Sequence, residues 1–224
     1  MRPAAERLPV VVLISGRGSN LEVIAEQARR GDLPIEIRAV VSDREDAPGL
    51  QWARKAGLVC AALPPKQFPD RQRCDQALAD LVDGFGPALV VLAGFMRILG
   101  PEFVDRFAGR MLNIHPSLLP RHRGLHTHRR VLEAGETEHG ASVHFVTREL
   151  DGGPVVLQAR VPVRDDDDET SLAARVLKQE HRIYPRVVSW FASGRLRFKD
   201  GAIWLDGRRL DEPLVVDSTN DLPA

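Results

Sequence analysis

Several things are scarce in this chain of 224 residues, and each scarcity excludes something. There are two cysteines, Cys60 and Cys74, too few for a disulfide framework and, by themselves, for a zinc site. A reduced, cytoplasmic setting fits that usage. Net charge is absent, because Lys+Arg (31) equals Asp+Glu (31), so there is no overall electrostatic footprint for nucleic acid. The longest apolar runs, residues 8–14 and 88–95, fall far short of the roughly 20 that span a bilayer, so no membrane partner is expected. The charged residues 1–7 do not make the pattern of a signal peptide. Internal repeats and Ser/Gly-rich linkers are also missing. What remains is 43% hydrophobic and 28% charged residues, proportions that bury a core and argue against disorder.

The first half reads as strands alternating with helices. Residues 8–14 form a continuous, β-branched apolar run without alternation, as in a strand covered on both faces of a parallel sheet. A helix over 21–30 stops at Gly31, and a second strand over 35–42 precedes a helix from Pro48 to Gly57. A short strand over 58–63, a helix over 71–83 and a buried strand over 88–93 complete the rhythm. That order predicts an α/β fold, a single-domain doubly wound, mostly parallel sheet with helices on both faces. The second half changes texture. A helix over 101–107 and a strand over 110–115 lead to a loop dense in His, Arg and Pro and a helix over 127–134. Antiparallel strands are expected over 141–146 and 155–163, then a long amphipathic helix from Ser171 toward Gly194. A hairpin follows over 196–204, turning at Asp200-Gly201. One domain over 8–211 is expected, its halves meeting near residue 100, with 1–7 and 212–224 as tails.

Four places could carry chemistry. The turn Gly16-Arg17-Gly18-Ser19-Asn20 lies between a buried strand and a helix, where backbone N–H groups can cradle a phosphate. It also fits a plain capping box, Ser19-x-x-Glu22. Leu21 stands where a dinucleotide fingerprint needs its third glycine, and no Gly-Lys-Ser/Thr makes it a Walker loop. In Asn113-Ile114-His115-Pro116, Asn113 and His115 share a strand face, so an amide donor stands beside an imidazole, a pairing suited to a carbonyl oxygen that gains negative charge. A hydrogen-bonded strand end is the alternative. Asp151, in Leu150-Asp151-Gly152-Gly153-Pro154, is either a turn-former or the partner that keeps an imidazole protonated. Glu180 lies at the edge of the stripe Leu172, Val176, Ile183, Val187, Trp190 and wants a basic side chain or a ligand amine. His122, His126 and His128 lack a recognised metal pattern, and the acidic run 165–169 lacks calcium-loop spacing, so no metal is expected. The run reads as a solvated helix start.

Taken together these stretches resemble one family. Val12-Leu13-Ile14-Ser15-Gly16-x-Gly18-Ser19-Asn20-Leu21, Val91-Leu92-Ala93-Gly94-Phe95-Met96-Arg97-Ile98-Leu99 and Leu112-Asn113-Ile114-His115-Pro116-Ser117-Leu118-Leu119-Pro120 occur in order. Gly124-Leu125-His126-Thr127-His128, His139-Gly140-x-Ser142-Val143-His144-Phe145-Val146 and Leu150-Asp151-Gly152-Gly153-Pro154 follow. The chain is similar in these to the phosphoribosylglycinamide formyltransferases, folate-dependent enzymes of purine synthesis, over about residues 8–211.

The resemblance implies a formyl transfer from 10-formyltetrahydrofolate, the donor cosubstrate, to the amine of glycinamide ribonucleotide. It assigns Gly18, Ser19 and Asn20 to the substrate phosphate, with Leu177, Lys178, Gln179 and Glu180 near its glycinamide end. Arg71, Met96, Arg97, Ile98, Leu99, Asn113, Thr147, Arg148, Glu149, Leu150 and Asp151 would border the folate. Asn113, His115 and Asp151 would be catalytic. Partners would be small molecules, without nucleic acid or membrane, and the chain a monomer or homodimer. Two relatives in chemistry are less suitable: a formyltetrahydrofolate hydrolase would carry an N-terminal regulatory domain, and a methionyl-tRNA formyltransferase a further C-terminal domain and a basic surface. A nucleotide-binding module without catalysis and a pyridine-nucleotide oxidoreductase are the other readings, the latter disfavoured by Leu21. Arg121-His122-Arg123, Leu177 and the run 165–168 depart from the family pattern.

Overall fold

The computed structural model describes residues 7–217. Contacts group the chain into two compact units, residues 1–112 and 113–224.

The first unit holds the strands β1 (Leu8–Ile14), β2 (Ile35–Ser42), β3 (Cys60–Ala62) and β4 (Leu89–Leu92). They lie in the order β3-β2-β1-β4, and every neighbouring pair is parallel. Val10 to Ile14 are all fully buried, so β1 is covered on both faces, which is why its sequence shows no alternation. The helices are α1 (Ser19–Arg30), α2 (Pro48–Lys55), α3 (Arg71–Gly84) and α4 (Pro101–Arg106). Pro48 and Pro101 open their helices, where a missing N–H costs nothing, and Asp70 caps α3 by accepting from Arg73 N at 2.8 Å.

The strand β5 (Met111–His115) crosses the boundary between the units. In the second unit follow α5 (Thr127–Glu133), β6 (Glu138–Phe145), β7 (Val155–Pro162) and α6 (Glu169–Ala192). Three short strands, β8 (Leu196–Lys199), β9 (Ala202–Leu205) and β10 (Arg208–Leu210), make a separate antiparallel sheet, and β11 (Leu214–Val216) closes the described chain. Here the strand order is β5-β6-β7-β11, with β6 and β7 antiparallel and β7 and β11 parallel. The core gathers on α6, where Trp190, Tyr184 and Ile183 are buried, and Phe145 of β6 stacks on Phe198 of β8 at 5.1 Å between ring centroids. Each such side chain contributes about 1.5–3 kcal/mol through burial.

The expected mostly parallel α/β class, with antiparallel strands in the second half, is what the chain adopts. Three details add to that reading. First, the two compact units meet inside β5, and α4 packs on α3 within the first of them. Second, β6 begins at Glu138, three residues before its expected start; His139 and Gly140 are buried in it despite their weak strand propensity. Third, the expected tail from residue 212 contains β11, whose Leu214, Val215 and Val216 pair with Leu157, Gln158 and Ala159. Residues 1–6 and 218–224 of the expected tails lie outside the described residues.

Candidate active site

The turn after β1 is shaped by a close approach. Gly18 is the N-cap of α1, with φ 78° and ψ 24°, and no side chain caps the helix. Ser19 is already helical, so the expected capping-box alternative fails. A Cβ on Gly18 would stand 2.9 Å from the Cα of Gly49, and one on Gly49 would meet Arg17 O, Gly18 Cα and Ile14 Cδ1, each at 2.9 Å. The Gly49 N–H also donates to Gly16 O at 3.0 Å. The first turn of α2 therefore braces the glycine turn, whose helix-terminal N–H groups suit an anion. Gly18 and Asn20 are buried and Ser19 is half-buried.

The second stretch, residues 93–100, follows β4. The Ser15 N–H donates to Gly94 O at 3.0 Å, and the Met96 N–H donates to Ser15 Oγ at 2.8 Å, tying this stretch to the end of β1. Met96 and Ile98 are 64% and 56% exposed, an unusual pair of free apolar side chains on an otherwise anchored segment, whereas Leu99 is buried. Arg71 donates from Nη2 to Ile98 O at 2.8 Å. Arg97 differs from expectation: its guanidinium is paired with the buried Asp75 and donates to Cys74 Sγ at 2.9 Å. Its side chain is committed to the protein, which leaves its backbone as the part able to meet a ligand.

The second unit assembles the polar side chains. His115 Nδ1 lies 3.5 Å from Asp151 Oδ2, and both side chains are less than 10% exposed. His115 Nε2 donates to the carbonyl of His122 at 3.0 Å. Asp151 has φ 48°, so the left-handed residue of this turn is the carboxylate itself rather than a glycine. It accepts from Gly124 N at 2.9 Å. Gly153 is required for a different reason: a Cβ there would lie 1.8 Å from Phe145 O. In the same turn Leu150 is 48% exposed, Arg148 and Glu149 are exposed, and Thr147 is half-buried.

Asn113 contacts a residue the sequence reading missed. Its Nδ2 donates to His144 Nε2 at 3.0 Å. Burial pushes the His144 imidazole down to about 4, so it is neutral near pH 7. Its Nδ1 donates to Phe145 O at 3.0 Å, which leaves Nε2 as the acceptor and fixes the Asn113 amide with nitrogen toward His144. His144 Nε2 is also 3.8 Å from Asp151 Oδ1, so one carboxylate stands between two imidazoles. The polar alternation Ser142, His144 in an apolar strand was the available signal. Gly49, directly after a helix-opening proline, and Asp75, four residues after Arg71, were the others.

The remaining candidates are placed as follows. Gln179 and Glu180 are buried on α6, deeper than the stripe edge expected for Glu180, while Leu177 is half-buried and Lys178 exposed. Gln179 Oε1 accepts from Arg182 at 2.7 Å. The departing loop is held by charge: His122 Nε2 donates to Glu136 at 2.6 Å, Arg121 donates to the same carboxylate at 3.1 Å, and Arg123 pairs with Glu149. His128 and His139 share a hydrogen bond of 2.9 Å, and His126 is the exposed N-cap of α5. Among the described residues, no group of three or more His, Cys, Asp or Glu side chains is placed to hold a metal ion. The acidic run has a structural use. Asp168 caps α6 in a reciprocal box with Ser171, and Asp167 pairs with Arg175, whose hydrogen bonds hold the carboxyl well below its ordinary range. No helix among the described residues is long and apolar enough to cross a membrane.

Known proteins share this arrangement over nearly its whole length. The chain is 56% identical over 201 residues to the phosphoribosylglycinamide formyltransferase of Escherichia coli K12, covering 90% of this chain and 95% of that one. The solved phosphoribosylglycinamide formyltransferase of Coxiella burnetii superposes with a TM-score of 0.89 at 50% identity, covering 93% of this chain and all of the other. Glycinamide ribonucleotide transformylase 1 of Symbiobacterium toebii gives 0.86 at 43% identity, over 90% of this chain and 95% of that one. The family profile described as formyl transferase matches residues 8–188. The chain belongs to the formyl transferase family.

Proposed function

We propose that this protein transfers the formyl group of 10-formyltetrahydrofolate to the amine of 5'-phosphoribosylglycinamide, giving formylglycinamide ribonucleotide and tetrahydrofolate in purine synthesis. The observation that carries the reading is the 3.5 Å approach of His115 to Asp151 beside an Asn113 amide held by His144, in a chain 56% identical to an enzyme named for this reaction.

The chemistry follows from those groups. The free amine of the substrate attacks the formyl carbon, and negative charge develops on the formyl oxygen. The second N–H of the Asn113 amide donates to that oxygen, and His115 does so once its Nε2 N–H turns from the His122 carbonyl, in a water-poor setting. Asp151 orients the imidazole and relays the proton released by the amine. The bond between the formyl carbon and N10 of the folate then breaks, and N10 takes up a proton. Gly18, Ser19 and Asn20 hold the phosphate through helix-terminal N–H groups. Arg71, residues 96–99 and residues 147–151 border the folate, and residues 177–180 meet the glycinamide end.

The test mixes purified protein with 10-formyltetrahydrofolate, with and without the ribonucleotide, and follows folate absorbance and formate. Folate turnover that needs the acceptor and yields formylated ribonucleotide is expected. Turnover without acceptor, releasing formate, would mark a hydrolase and overturn the proposal.

A further inference from the structure

We infer that Asp75 is a positioning residue that sets the backbone of residues 97–100 as a rigid ledge for the folate donor. The inference rests on the reading that residues 96–99 border the folate.

The ledge is anchored at three points to one face of α3. Arg71, Cys74 and Asp75 stand at i, i+3 and i+4 on that helix, so they present their side chains together. Arg71 holds Ile98 O, Cys74 Sγ accepts from Arg97, and Asp75 both pairs with Arg97 and accepts from the Gly100 N–H at 3.0 Å. Arg71 Nε lies 3.5 Å from the same carboxylate. The Asp75 side chain is 5% exposed and the Arg97 side chain 16%. A buried ion pair of this kind is a weak source of net stability, because desolvation offsets most of the attraction. Its geometric consequence is stronger, since losing one member leaves a buried charge unpaired. Gly100 completes the fit: a Cβ there would stand 2.6 Å from Asp75 Oδ2, so only glycine lets the carboxylate reach the backbone N–H.

The clamp faces inward and leaves the outward side apolar. Met96 and Ile98 are the exposed side chains of the segment, on either side of the half-buried Arg97. A flat heterocycle can lie on such a ledge and exchange hydrogen bonds with backbone groups between them, without an ordering cost at binding. Asp75 thus acts at a distance from the donor, through Arg97 and Gly100, and touches neither reactant.

The experiment compares wild type with Asp75→Asn, Asp75→Ala and Gly100→Ala. For each it measures kcat, the KM of both substrates, calorimetric affinity for tetrahydrofolate, and melting temperature. Asn keeps an acceptor oxygen for Gly100 and loses the ion pair; Ala loses both. We expect donor KM and tetrahydrofolate Kd to rise about tenfold in Asp75→Asn and further in Asp75→Ala, following the cost of a lost charged hydrogen bond. Acceptor KM and saturated kcat should stay within about threefold of wild type, because no contact to the acceptor or to the reacting atoms is removed. A lower melting temperature with unchanged donor KM and tetrahydrofolate affinity would show a structural role alone and overturn the inference. Equal changes in the constants of both substrates would also overturn it. If neither Asp75 variant folds, Gly100→Ala carries the same prediction, since it displaces only the end of the carboxylate. Wild type that binds tetrahydrofolate without acceptor-dependent transfer would instead fail the functional reading, leaving the clamp to be judged on affinity.

Discussion

The two units of this chain are built for contact in opposite ways. The first unit presents backbone. Its candidate binding surfaces, the Gly16–Gly18 turn and the ledge at 97–100, depend on Gly18 and Gly100, where an added Cβ would stand within 3 Å of a neighbouring atom. The second unit presents side chains. All seven histidines of the protein lie beyond residue 112, and five of them, His115, His122, His128, His139 and His144, are hydrogen-bonded in its interior. Holding a phosphate or a heterocycle asks for fixed N–H groups, which adding an atom disturbs. Moving a proton asks for titratable groups, which removing an atom disturbs. The difference yields opposite rules for substitution.

Removal in the second unit gives the largest expected effect. His115→Ala and Asn113→Ala each delete one donor to the developing oxyanion and should lower turnover on the order of 100-fold or more. Substrate affinities should change far less, because those donors act chiefly in the transition state. Asp151→Asn keeps the turn geometry, as asparagine also tolerates the left-handed region, but removes the charge facing His115. A loss of similar size is expected, with both ligands still bound in calorimetry. Near-native turnover in any of the three variants, with native circular dichroism, would break the assignment of chemistry to this unit.

Addition in the first unit sharpens the contrast. Gly49→Ala introduces a methyl group 2.9 Å from two backbone atoms and from Ile14 Cδ1, so the brace on the Gly18 turn must shift. Overpacking of this kind costs about 1–3 kcal/mol. The ribonucleotide KM should rise about tenfold while kcat at saturation changes little, the pattern of lost uniform binding. Gly16→Ala is the control, because a Cβ at Gly16 meets nothing within 4 Å. Steady-state kinetics on both variants decide it: equal KM values would show that the close approach of Gly49 has no part in holding the phosphate.

Much of this was legible in the sequence, and the omissions have physical reasons. The strand β1 was readable because burial on both faces writes an uninterrupted apolar run. His115 and Asp151 were readable as chemistry, but their meeting, 36 positions apart, is a tertiary fact that no local pattern encodes. The anchoring of Arg97 was not readable, because its partner lies 22 positions away on α3. Only the fold reveals that Asp75 claims it. His144 was hidden by its own success as a strand residue: a buried neutral imidazole takes a core position in the pattern. The tail strand β11 was missed because three residues are too few for periodicity, and it forms only where β7 offers an edge.

Acid should separate the units, with the smallest effect of the three. Burial holds His139 down to about 3 and His144 down to about 4, with the neighbouring imidazoles His128, His122 and His115 adding to the first. Near His144, the Phe145 carbonyl and Asp151 oppose burial without overcoming it. Unfolded, both groups would titrate near the ordinary value of 6.5, so between that pH and the folded value the unfolded chain binds more protons. Their stabilisation is therefore complete above about 6.5 and is lost progressively as pH falls toward 4 and then 3. Each contributes on the order of 1 kcal/mol per pH unit within its window. The first unit has no histidine and lacks this dependence between pH 6.5 and 5. Amide protection factors, taken relative to the intrinsic exchange rate at each pH, should thus fall over that interval in β6 while those of β1 hold. An equal fall in both strands would mean that the units open together and that their different chemistry leaves no separate mark on stability.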